Sequence, residues 1–483
     1  MTAAIVQRVL GLLIVLFSST MLLPIGWGLY FDDGTWSVFV ASFLIVAGIG
    51  LALWWPVRRR RQELRLRGGF LVVALAWIVL GTLGATPLLL ADAPQMSFTD
   101  AVFEAVSGLT TTGATVLVGL DSLPPSILFY RQLLQWVGGL GIIVFAVAIM
   151  PLLGVGGMQL YRAETPGPAR ETRLTPRVTQ TAKALLNVYV GITFVCGAAY
   201  WLAGMSFFDA VCHSFSTVAI GGFSTHDASI GYFNSPLIEL VAVVFMFIAA
   251  VNFALHFLAW RDKRLTSYLT DPEFRSYAWI LGVLSTIVLG YLLWQQQYGS
   301  VAETVTKGLF QAVSIATTTG YTTDDFAAWP GALPVLLIFA SFIGGCAGST
   351  AGGMKVMRWS LIYKQSVREL QRLVHPSAEI PVKLGTRAVH PRVVDSVWGF
   401  FAAYIIVFIV IMLILLTTGM DQTSAFAAVA ATINNLGPGL GDVSSGFGEV
   451  TVIAKWCGVC AMLLGRLEIF TLLVLITPTF WRG

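Results

Sequence analysis

Long apolar stretches, separated by short polar connections, recur along the entire chain. We predict ten membrane-spanning helices from them, at residues 7–30, 36–56, 69–91, 126–150, 184–204, 235–260, 276–295, 332–357, 393–418 and 450–476. A helix needs about 20 consecutive apolar residues to cross the hydrocarbon core of a bilayer. The polar connections are short, and only 11% of the 483 residues are charged, so we expect a polytopic membrane protein without a separate soluble domain.

The charges divide the polar connections into two groups. Basic residues dominate at 57–67, 161–183, 260–265 and 358–392, whereas the other connections carry mostly acids, as in SFTDA, SFFDA and TTDD. Only Arg131, Lys307 and Lys455 are basic on the acidic side. Because cytoplasmic loops are enriched in Lys and Arg, we predict that the basic side and both termini face the cytoplasm.

Four segments on the acidic side share one pattern. They read SFTDAVFEAVSGLTTTGAT, SFFDAVCHSFSTVAIGGFST, VAETVTKGLFQAVSIATTTGYTT and MDQTSAFAAVAATINNLGPGL. Each continues from a polar start through about ten half-apolar residues, too few to span a bilayer, into a small, glycine-bearing stretch. Aligned, they place Gly113, Gly222, Gly320 and Gly437 in register, roughly 100 residues apart, which indicates an internal repeat. The residue six positions before the glycine is Ser107, Ser216, Ser314 or Ala431.

Each repeat therefore predicts an outer helix, a re-entrant half-helix with a polar loop, and an inner helix. The fold class that follows is an all-α polytopic membrane protein with four tandem helix–pore loop–helix repeats around one pseudo-fourfold pore, plus two extra N-terminal helices. We place the helix pair at 1–67 and the repeats at 68–160, 161–265, 266–391 and 392–483, the third of which contains a glycine-rich stretch.

The polar loops carry the candidate chemistry. Irregular backbone at bilayer depth is tolerated only where it is buried in protein or lines a water-filled path. Glycine permits left-handed backbone angles, and threonine adds a hydroxyl oxygen without charge. Four such loops around one axis would form rings of oxygens that replace the hydration shell of a monovalent cation. The predicted filter comprises Thr110, Thr111, Thr112, Gly113, Ala219, Ile220, Gly221, Gly222, Thr317, Thr318, Thr319, Gly320, Asn434, Asn435, Leu436 and Gly437.

These loops, together with FYRQLLQWVGGLGI (129–142) and GGCAGSTAGGMKVMR (344–358), resemble the Trk/Ktr/HKT superfamily of potassium transporters over the whole chain. The resemblance implies that K⁺ is the transported ion, bound at Thr111, Thr112, Ile220, Gly221, Thr318, Thr319, Asn435 and Leu436, with no organic cofactor in this chain. Gly113 implies potassium preference, because a serine in the first repeat accompanies sodium transport in some plant members. The four loops form the four walls of the predicted filter, numbered by repeat. Because the walls differ in sequence, the resemblance implies weaker selectivity than in tetrameric potassium channels.

The resemblance also implies an assembly in a bacterial cytoplasmic membrane. Its expected partners are a cytosolic, TrkA-type nucleotide-binding regulatory subunit and a second copy of this chain, since two membrane subunits occur per assembly. The basic cytoplasmic loops are a plausible docking face for the regulator. No nucleic-acid partner is expected.

The eighth predicted span, within IGGCAGSTAGGMK (343–355), holds five glycines in ten residues, so we expect its helix to break at mid-membrane. The resemblance implies an intramembrane loop that obstructs permeation, and close helix packing through glycine is the alternative. The predicted gate comprises Gly344, Gly345, Cys346, Ala347, Gly348, Ser349, Thr350, Ala351, Gly352, Gly353, Lys355 and Arg466.

Two of these gate residues are basic. An arginine within a span is costly and usually faces a cavity or a partner. The resemblance implies that Arg466 is an electrostatic barrier beneath the filter, and an ion pair with Glu468 or Glu104 is the alternative. Lys355 belongs to the same gate or extends its ammonium group to the cytoplasmic face.

The acids just beyond the loops, Asp324, Asp325 and Asp442, are candidates for an outer vestibule that concentrates cations, or are solvated loop acids. Two other transport classes fit parts of the pattern: an ion-coupled transporter of a small solute and a sodium-permeable cation transporter. Solute transporters often have inverted repeats, whereas these repeats share one orientation. No motif of an intramembrane enzyme is present, so we predict that the chain is not an enzyme.

Overall fold

The computed structural model describes residues 2–59, 66–144, 178–385 and 387–481, so most of the basic connection at 161–183 lies outside the described residues. The described ranges are mainly helical. Two short strands, Lys383–Leu384 and Arg387–Ala388, form an antiparallel ribbon near the end of the third repeat.

Two N-terminal helical segments pack against each other outside the repeats. They comprise Thr2–Ser18, the 3₁₀ turn Ser19–Leu22, Leu23–Phe31, Trp36–Trp54 and the 3₁₀ turn Trp55–Val57. Their backbones meet at Gly11 and Gly50, where a β-carbon on Gly50 would lie 2.9 Å from the backbone nitrogen of Val15. Small residues allow membrane helices to pack this closely.

Each of the four repeats contains an outer helix, a short pore helix and an inner segment. The outer helices are Leu66–Leu83 with Thr86–Leu90, Val178–Leu202, Pro272–Gln295 and Pro391–Thr417. The pore helices are Phe98–Leu109, Phe207–Ala219, Val301–Ala316 and Gln422–Ile433. The inner segments are Pro125–Val144, Pro236–Ala249 with Phe253–Asp262, Leu333–Ser341 with Val356–Val374, and Val452–Arg466 with Phe470–Ile476. This arrangement confirms the predicted fold class.

Short helical turns complete the repeats. A 3₁₀ turn follows every pore loop, at Leu120–Ser122, Ser229–Phe233, Phe326–Ala328 and Gly441–Val443. Two further short helices are Thr266–Thr270 and Pro478–Trp481.

The pore helices begin at matching caps. The capping residues are Ser97, Ser206, Ser300 and Asp421. In each case the side chain accepts a hydrogen bond from the backbone N–H of the third helical residue, which satisfies a donor that has no partner within the helix. The opposite, C-terminal ends of the pore helices carry partial negative charge and lead into the polar loops.

Within the described ranges, six helices are long and apolar enough to cross a membrane without interruption. The predicted span at 126–150 is described only as far as Val144. The break predicted at 343–355 is present between Ser341 and Val356. The prediction of continuous helices at 235–260 and 450–476 is wrong, because both inner segments are interrupted.

The two unpredicted breaks have different causes. In the second repeat the chain bends by 93° between Ala249 and Phe253, and the side chain of Asn252 accepts a hydrogen bond of 2.8 Å from Ala254 N–H to start a new helix. In the fourth repeat, Glu468 and Ile469 have φ of 54° and 36°, which no continuous right-handed helix can contain.

The pore helices lie at the centre of the molecule and the outer helices at its periphery. The first pore helix is buried from Ala101 to Leu109. In contrast, only 33% of the 18-residue apolar part of the outer helix Pro272–Gln295 is buried, and only 22% of that of Pro391–Thr417. Exposed apolar side chains on the outer helices suit contact with lipid, whereas the polar loops follow the buried pore helices.

Candidate ion pathway

The four filter glycines form a closed ring. A β-carbon placed on any one of them would overlap a backbone carbonyl oxygen of the following repeat. The contacts run from Gly113 to Gly221, from Gly222 to Thr319, from Gly320 to Leu436 and from Gly437 to Thr112. Because the fourth contact returns to the first repeat, the loops surround one axis in chain order.

The four loops share one backbone conformation despite their different sequences. The residue two positions before each glycine has φ between 52° and 65°, and the glycines have φ between 77° and 98°. The residues in the earlier position are Thr111, Ile220, Thr318 and Asn435. Left-handed angles are rare for a β-branched residue such as isoleucine, and their fourfold recurrence shows that the surrounding structure imposes this conformation.

A repeated backbone hydrogen bond holds each loop on its pore helix. The N–H group before the glycine donates to the carbonyl of the residue six positions before the glycine, at 2.8–2.9 Å. The donor–acceptor pairs are Thr112–Ser107, Gly221–Ser216, Thr319–Ser314 and Leu436–Ala431. The acceptor is a backbone group, which explains why alanine can replace serine at this aligned position in the fourth repeat.

Several threonine hydroxyl groups in the filter are used within the loops. Thr110 and Thr112 bond each other through their Oγ1 atoms at 2.8 Å, as do Thr317 and Thr319. The Thr111 hydroxyl is buried and has no hydrogen-bond partner among the described residues. The groups best placed to replace ion hydration are therefore the backbone carbonyls. Among the threonine side chains of the filter, only the hydroxyl of Thr111 is buried and lacks a partner in the described part of the chain, so it could also contact an ion.

The asparagines of the fourth wall connect neighbouring repeats. Asn435 Nδ2 donates to Thr112 Oγ1 at 2.9 Å and to the carbonyl of Met462 at 3.1 Å. Asn434 Nδ2 donates to Ser341 Oγ at 2.9 Å. Both side chains are buried, so their amide donors brace the ring while their own repeat supplies backbone oxygens to it.

The second half of the glycine-rich stretch, Thr350–Gly353, lies against the third and fourth loops and the end of the second pore helix. Gly352 N–H donates to Thr318 Oγ1 at 2.7 Å, and Gly353 N–H donates to the Asn434 carbonyl at 3.0 Å. Thr350 Oγ1 donates to the carbonyl of Val218 at 2.9 Å, at the end of the second pore helix. This part of the predicted gate therefore lies against the C-terminal ends of the pore helices, where the loops begin.

The first half of the stretch, Gly344–Ser349, is anchored elsewhere. Cys346 N–H donates to the carbonyl of Ala250 at 2.8 Å, and Ala347 N–H donates to Glu273 Oε1 at 2.7 Å. Gly348 accepts a hydrogen bond from Phe253 N–H at 3.1 Å. Residues at the break in the second inner segment, Ala250 and Phe253, therefore bind two points of this half.

Both basic residues of the predicted gate contact the loop. Arg466 Nη2 donates to the Thr350 carbonyl at 2.9 Å, and Lys355 Nζ donates to the Ala351 carbonyl. The alternative ion pairs of Arg466 are wrong. Arg358 pairs with Glu468 at 2.6 Å and Arg131 pairs with Glu104 at 2.8 Å, so both carboxylates have other partners.

The basic residues of the acidic side are all paired. Besides Arg131, Lys307 contacts Glu239 at 2.9 Å and Lys455 contacts Asp100 at 2.7 Å. The Arg131–Glu104 pair lies behind the filter, with both side chains at most 1% exposed, and Arg131 also donates to the Ser224 carbonyl. This pair could not be predicted from the sequence, since two opposite charges 27 positions apart carry no signal of contact.

The predicted vestibule acids lie outside the ring, in the loops that follow it. Asp324, Asp325 and Asp442 are exposed. Asp324 accepts a hydrogen bond from the Tyr298 hydroxyl, and Asp325 caps the turn Phe326–Ala328 through Ala327 N–H at 3.0 Å. These contacts hold the loops and leave carboxylate charge facing the solvent.

Comparison with known proteins agrees with this architecture. Residues 36–482 match the family model TrkH, described as a cation transport protein. The chain is 57% identical to the Trk system potassium uptake protein TrkH of Vibrio parahaemolyticus and 54% identical to that of Escherichia coli K12, over 99% of each chain. The crystal structure of the potassium transporter TrkH from Vibrio parahaemolyticus matches with a TM-score of 0.93 and 55% identity, over 100% of both chains.

These relatives are transport proteins, which confirms the prediction that the chain is not an enzyme. The match extends over both the N-terminal helices and all four repeats. The chain belongs to the TrkH family of cation transport proteins.

Proposed function

We propose that this chain takes up potassium ions across a bacterial cytoplasmic membrane through the four-loop filter. The closed ring of glycines and carbonyl oxygens carries this proposal, because a ring of backbone carbonyls can replace the hydration shell of K⁺. The relatives named as potassium uptake proteins support the choice of ion. The glycine in the first wall supports it as well.

The glycine-rich loop is the gate in this proposal. Its support is the set of hydrogen bonds from Gly352 and Gly353 to the third and fourth loops, and from Thr350 to the end of the second pore helix. An ion that has passed the ring would meet this loop and the charge of Arg466. Permeation therefore requires the loop to move away from the ring, with Lys355 and Arg466 moving or losing their contacts.

A cytosolic, TrkA-type nucleotide-binding subunit controls this gate. The helix Val356–Val374 supports the idea, because it begins directly after the loop and continues into the basic connection at 358–392. Tyr363, Leu370 and Leu373 on this helix are 71%, 65% and 80% exposed. A partner that binds there could displace the loop through a rigid helix. The functional assembly contains two copies of this chain.

The basic connections support a cytoplasmic location for both termini. The repeats divide at 68–160, 161–265, 266–391 and 392–483. The exposed acids Asp324, Asp325 and Asp442 give the outer mouth negative charge, which raises the local concentration of cations.

Uptake of ⁸⁶Rb⁺ into KCl-loaded proteoliposomes tests the proposal. We expect uptake that external K⁺ suppresses at lower concentration than Na⁺ does, while chloride flux stays at the level of empty liposomes. Equal suppression by Na⁺ and K⁺ would show a sodium-permeable transporter instead. Absence of ⁸⁶Rb⁺ uptake, with or without a cytosolic regulator and nucleotide, would overturn the proposal.

A further inference from the structure

The second wall of the ring lacks a side chain that the other three walls possess. Gly221 occupies the position directly before the filter glycine, where the other repeats have Thr112, Thr319 and Leu436. A β-carbon on Gly221 would overlap the side-chain carboxamide of Gln135. The space behind this wall is therefore filled by a residue of the first repeat's inner helix, Pro125–Val144.

Gln135 is bonded to the second wall at three points. Its Nε2 donates to the Gly221 carbonyl at 2.6 Å, and its Oε1 accepts hydrogen bonds from Ser216 Oγ at 2.6 Å and Phe223 N–H at 3.2 Å. The side chain is completely buried. The donors Ser216 and Phe223 fix which end of the carboxamide faces Gly221, since only an oxygen can accept from both.

The carbonyl that Gln135 contacts belongs to the ring. The Gly221 oxygen is the one that a β-carbon on Gly113 would overlap. Among the described residues, the equivalent oxygens of Thr112, Thr319 and Leu436 accept no side-chain or backbone hydrogen bond. A carbonyl oxygen has two lone pairs, so Gly221 can accept from Gln135 and still face an ion.

We propose that Gln135 is a specificity-determining positioning residue for the ring: it replaces the side chain that the second loop lacks and holds the Gly221 carbonyl in place. This inference rests on the proposed function, because it assigns a role within the filter. Without Gln135, Gly221 has neither a side chain nor a donor to restrain it. Its oxygen could then follow a smaller ion inward, and discrimination between K⁺ and Na⁺ would fall.

Reversal potentials under opposing KCl and NaCl gradients, recorded from purified protein in planar bilayers, test this inference. Gln135→Met keeps most of the volume and removes the donor and acceptor. We expect its K⁺/Na⁺ permeability ratio to fall roughly threefold to tenfold, in the range expected for one lost hydrogen bond. Tyr130→Phe is the matched control, because it removes another buried hydrogen bond of the same helix, from the Tyr130 hydroxyl to the Gly84 carbonyl at 2.8 Å, and its ratio should equal that of the wild type.

A complementary pair of substitutions distinguishes positioning from general packing. Gly221→Thr alone should abolish conduction, since the new side chain collides with Gln135. In the double variant Gln135→Ala/Gly221→Thr, the threonine occupies the vacated space as in the first and third walls. We expect it to restore conduction, with a permeability ratio closer to the wild type than that of Gln135→Ala.

The failures of the two proposals can be told apart. A wild-type ratio in Gln135→Met would overturn the role of Gln135, while a reduced ratio in Gly320→Ser would leave the filter standing. Wild-type ratios in both variants would overturn the filter itself. If Gln135→Met does not fold, the double variant Gln135→Ala/Gly221→Thr tests the inference instead. A permeability ratio no closer to the wild type than that of Gln135→Ala would overturn the inference, and a closer ratio would support it.

Discussion

Arg466 and Thr350 are joined by a 2.9 Å hydrogen bond from a guanidinium nitrogen to a backbone carbonyl, across two repeats. Arg466 ends the helix Val452–Arg466, and Thr350 lies in the glycine-rich loop of the third repeat. Both residues are buried. The guanidinium group of Arg466 is thus held against the glycine-rich loop, so a movement of the loop would break this hydrogen bond.

Arg466→Met should increase cation flux, because it removes a buried positive charge from the proposed ion pathway. We expect about a tenfold rise in ⁸⁶Rb⁺ uptake, which corresponds to a barrier lower by about 1.4 kcal/mol. Arg466→Lys keeps the charge and should stay within about twofold of the wild type. Equal uptake by all three proteins would show that Arg466 has only a structural role.

Gly352→Ala should displace the loop from the ring. The new methyl group would overlap the Asn434 carbonyl and lie 3.1 Å from Thr318 Oγ1. We expect higher ⁸⁶Rb⁺ uptake together with a loss of stability of about 1–3 kcal/mol, typical of overpacking. Gly282→Ala is the control, since no atom lies within 4 Å of its β-carbon position. Lower uptake in Gly352→Ala at normal folding would contradict the assignment of this loop as the gate.

Arg131→Met should destabilise the protein strongly. It leaves Glu104 buried without its partner, which typically costs about 3–5 kcal/mol of unfolding free energy. Arg261→Met is the matched control, because the Arg261–Asp262 pair is exposed and should contribute little. Thermal unfolding in detergent measures both. Similar melting temperatures for the two variants would show that the brace behind the filter contributes little to folding.

His226 should make the stability of the outer loops depend on pH. Its Nδ1 lies 2.5 Å from Asp121 Oδ1, its Nε2 lies 3.4 Å from Asp209 Oδ1, and its ring stacks on Tyr232. Burial alone would lower the pKa of His226, but the two carboxylates raise it above its usual value. The hydrogen bond from His226 lowers the pKa of Asp121.

The sign of this effect follows from the raised histidine pKa. The stabilisation is fully present below about pH 6.5, the ordinary value for histidine, and is lost as the pH rises through the raised pKa. Melting temperatures of the wild type and His226→Gln should therefore differ more at pH 6 than at pH 9. A difference that is constant over this range would show that the imidazolium charge does not contribute.

The four pore helices and the glycine-bearing loops that follow them could be predicted from the sequence because both depend on local signals. Short amphipathic segments that end in glycine recur at a fixed spacing, and four glycines with left-handed angles follow from that pattern. The break at Glu468 and Ile469 had no such signal, since neither glycine nor proline marks it. Likewise, Gln135 reads as one polar position in an inner helix, and only the packing of two repeats brings it to Gly221.

We propose that the ion passes through the ring of four loops, and the reversal potential of Gly320→Ser tests this path. Gly320 has φ of 82°, and a side chain there would overlap the Leu436 carbonyl and approach Pro438. We predict a wild-type K⁺/Na⁺ permeability ratio above one and a ratio near one in the variant. An unchanged ratio in folded, conducting Gly320→Ser protein would contradict the claim.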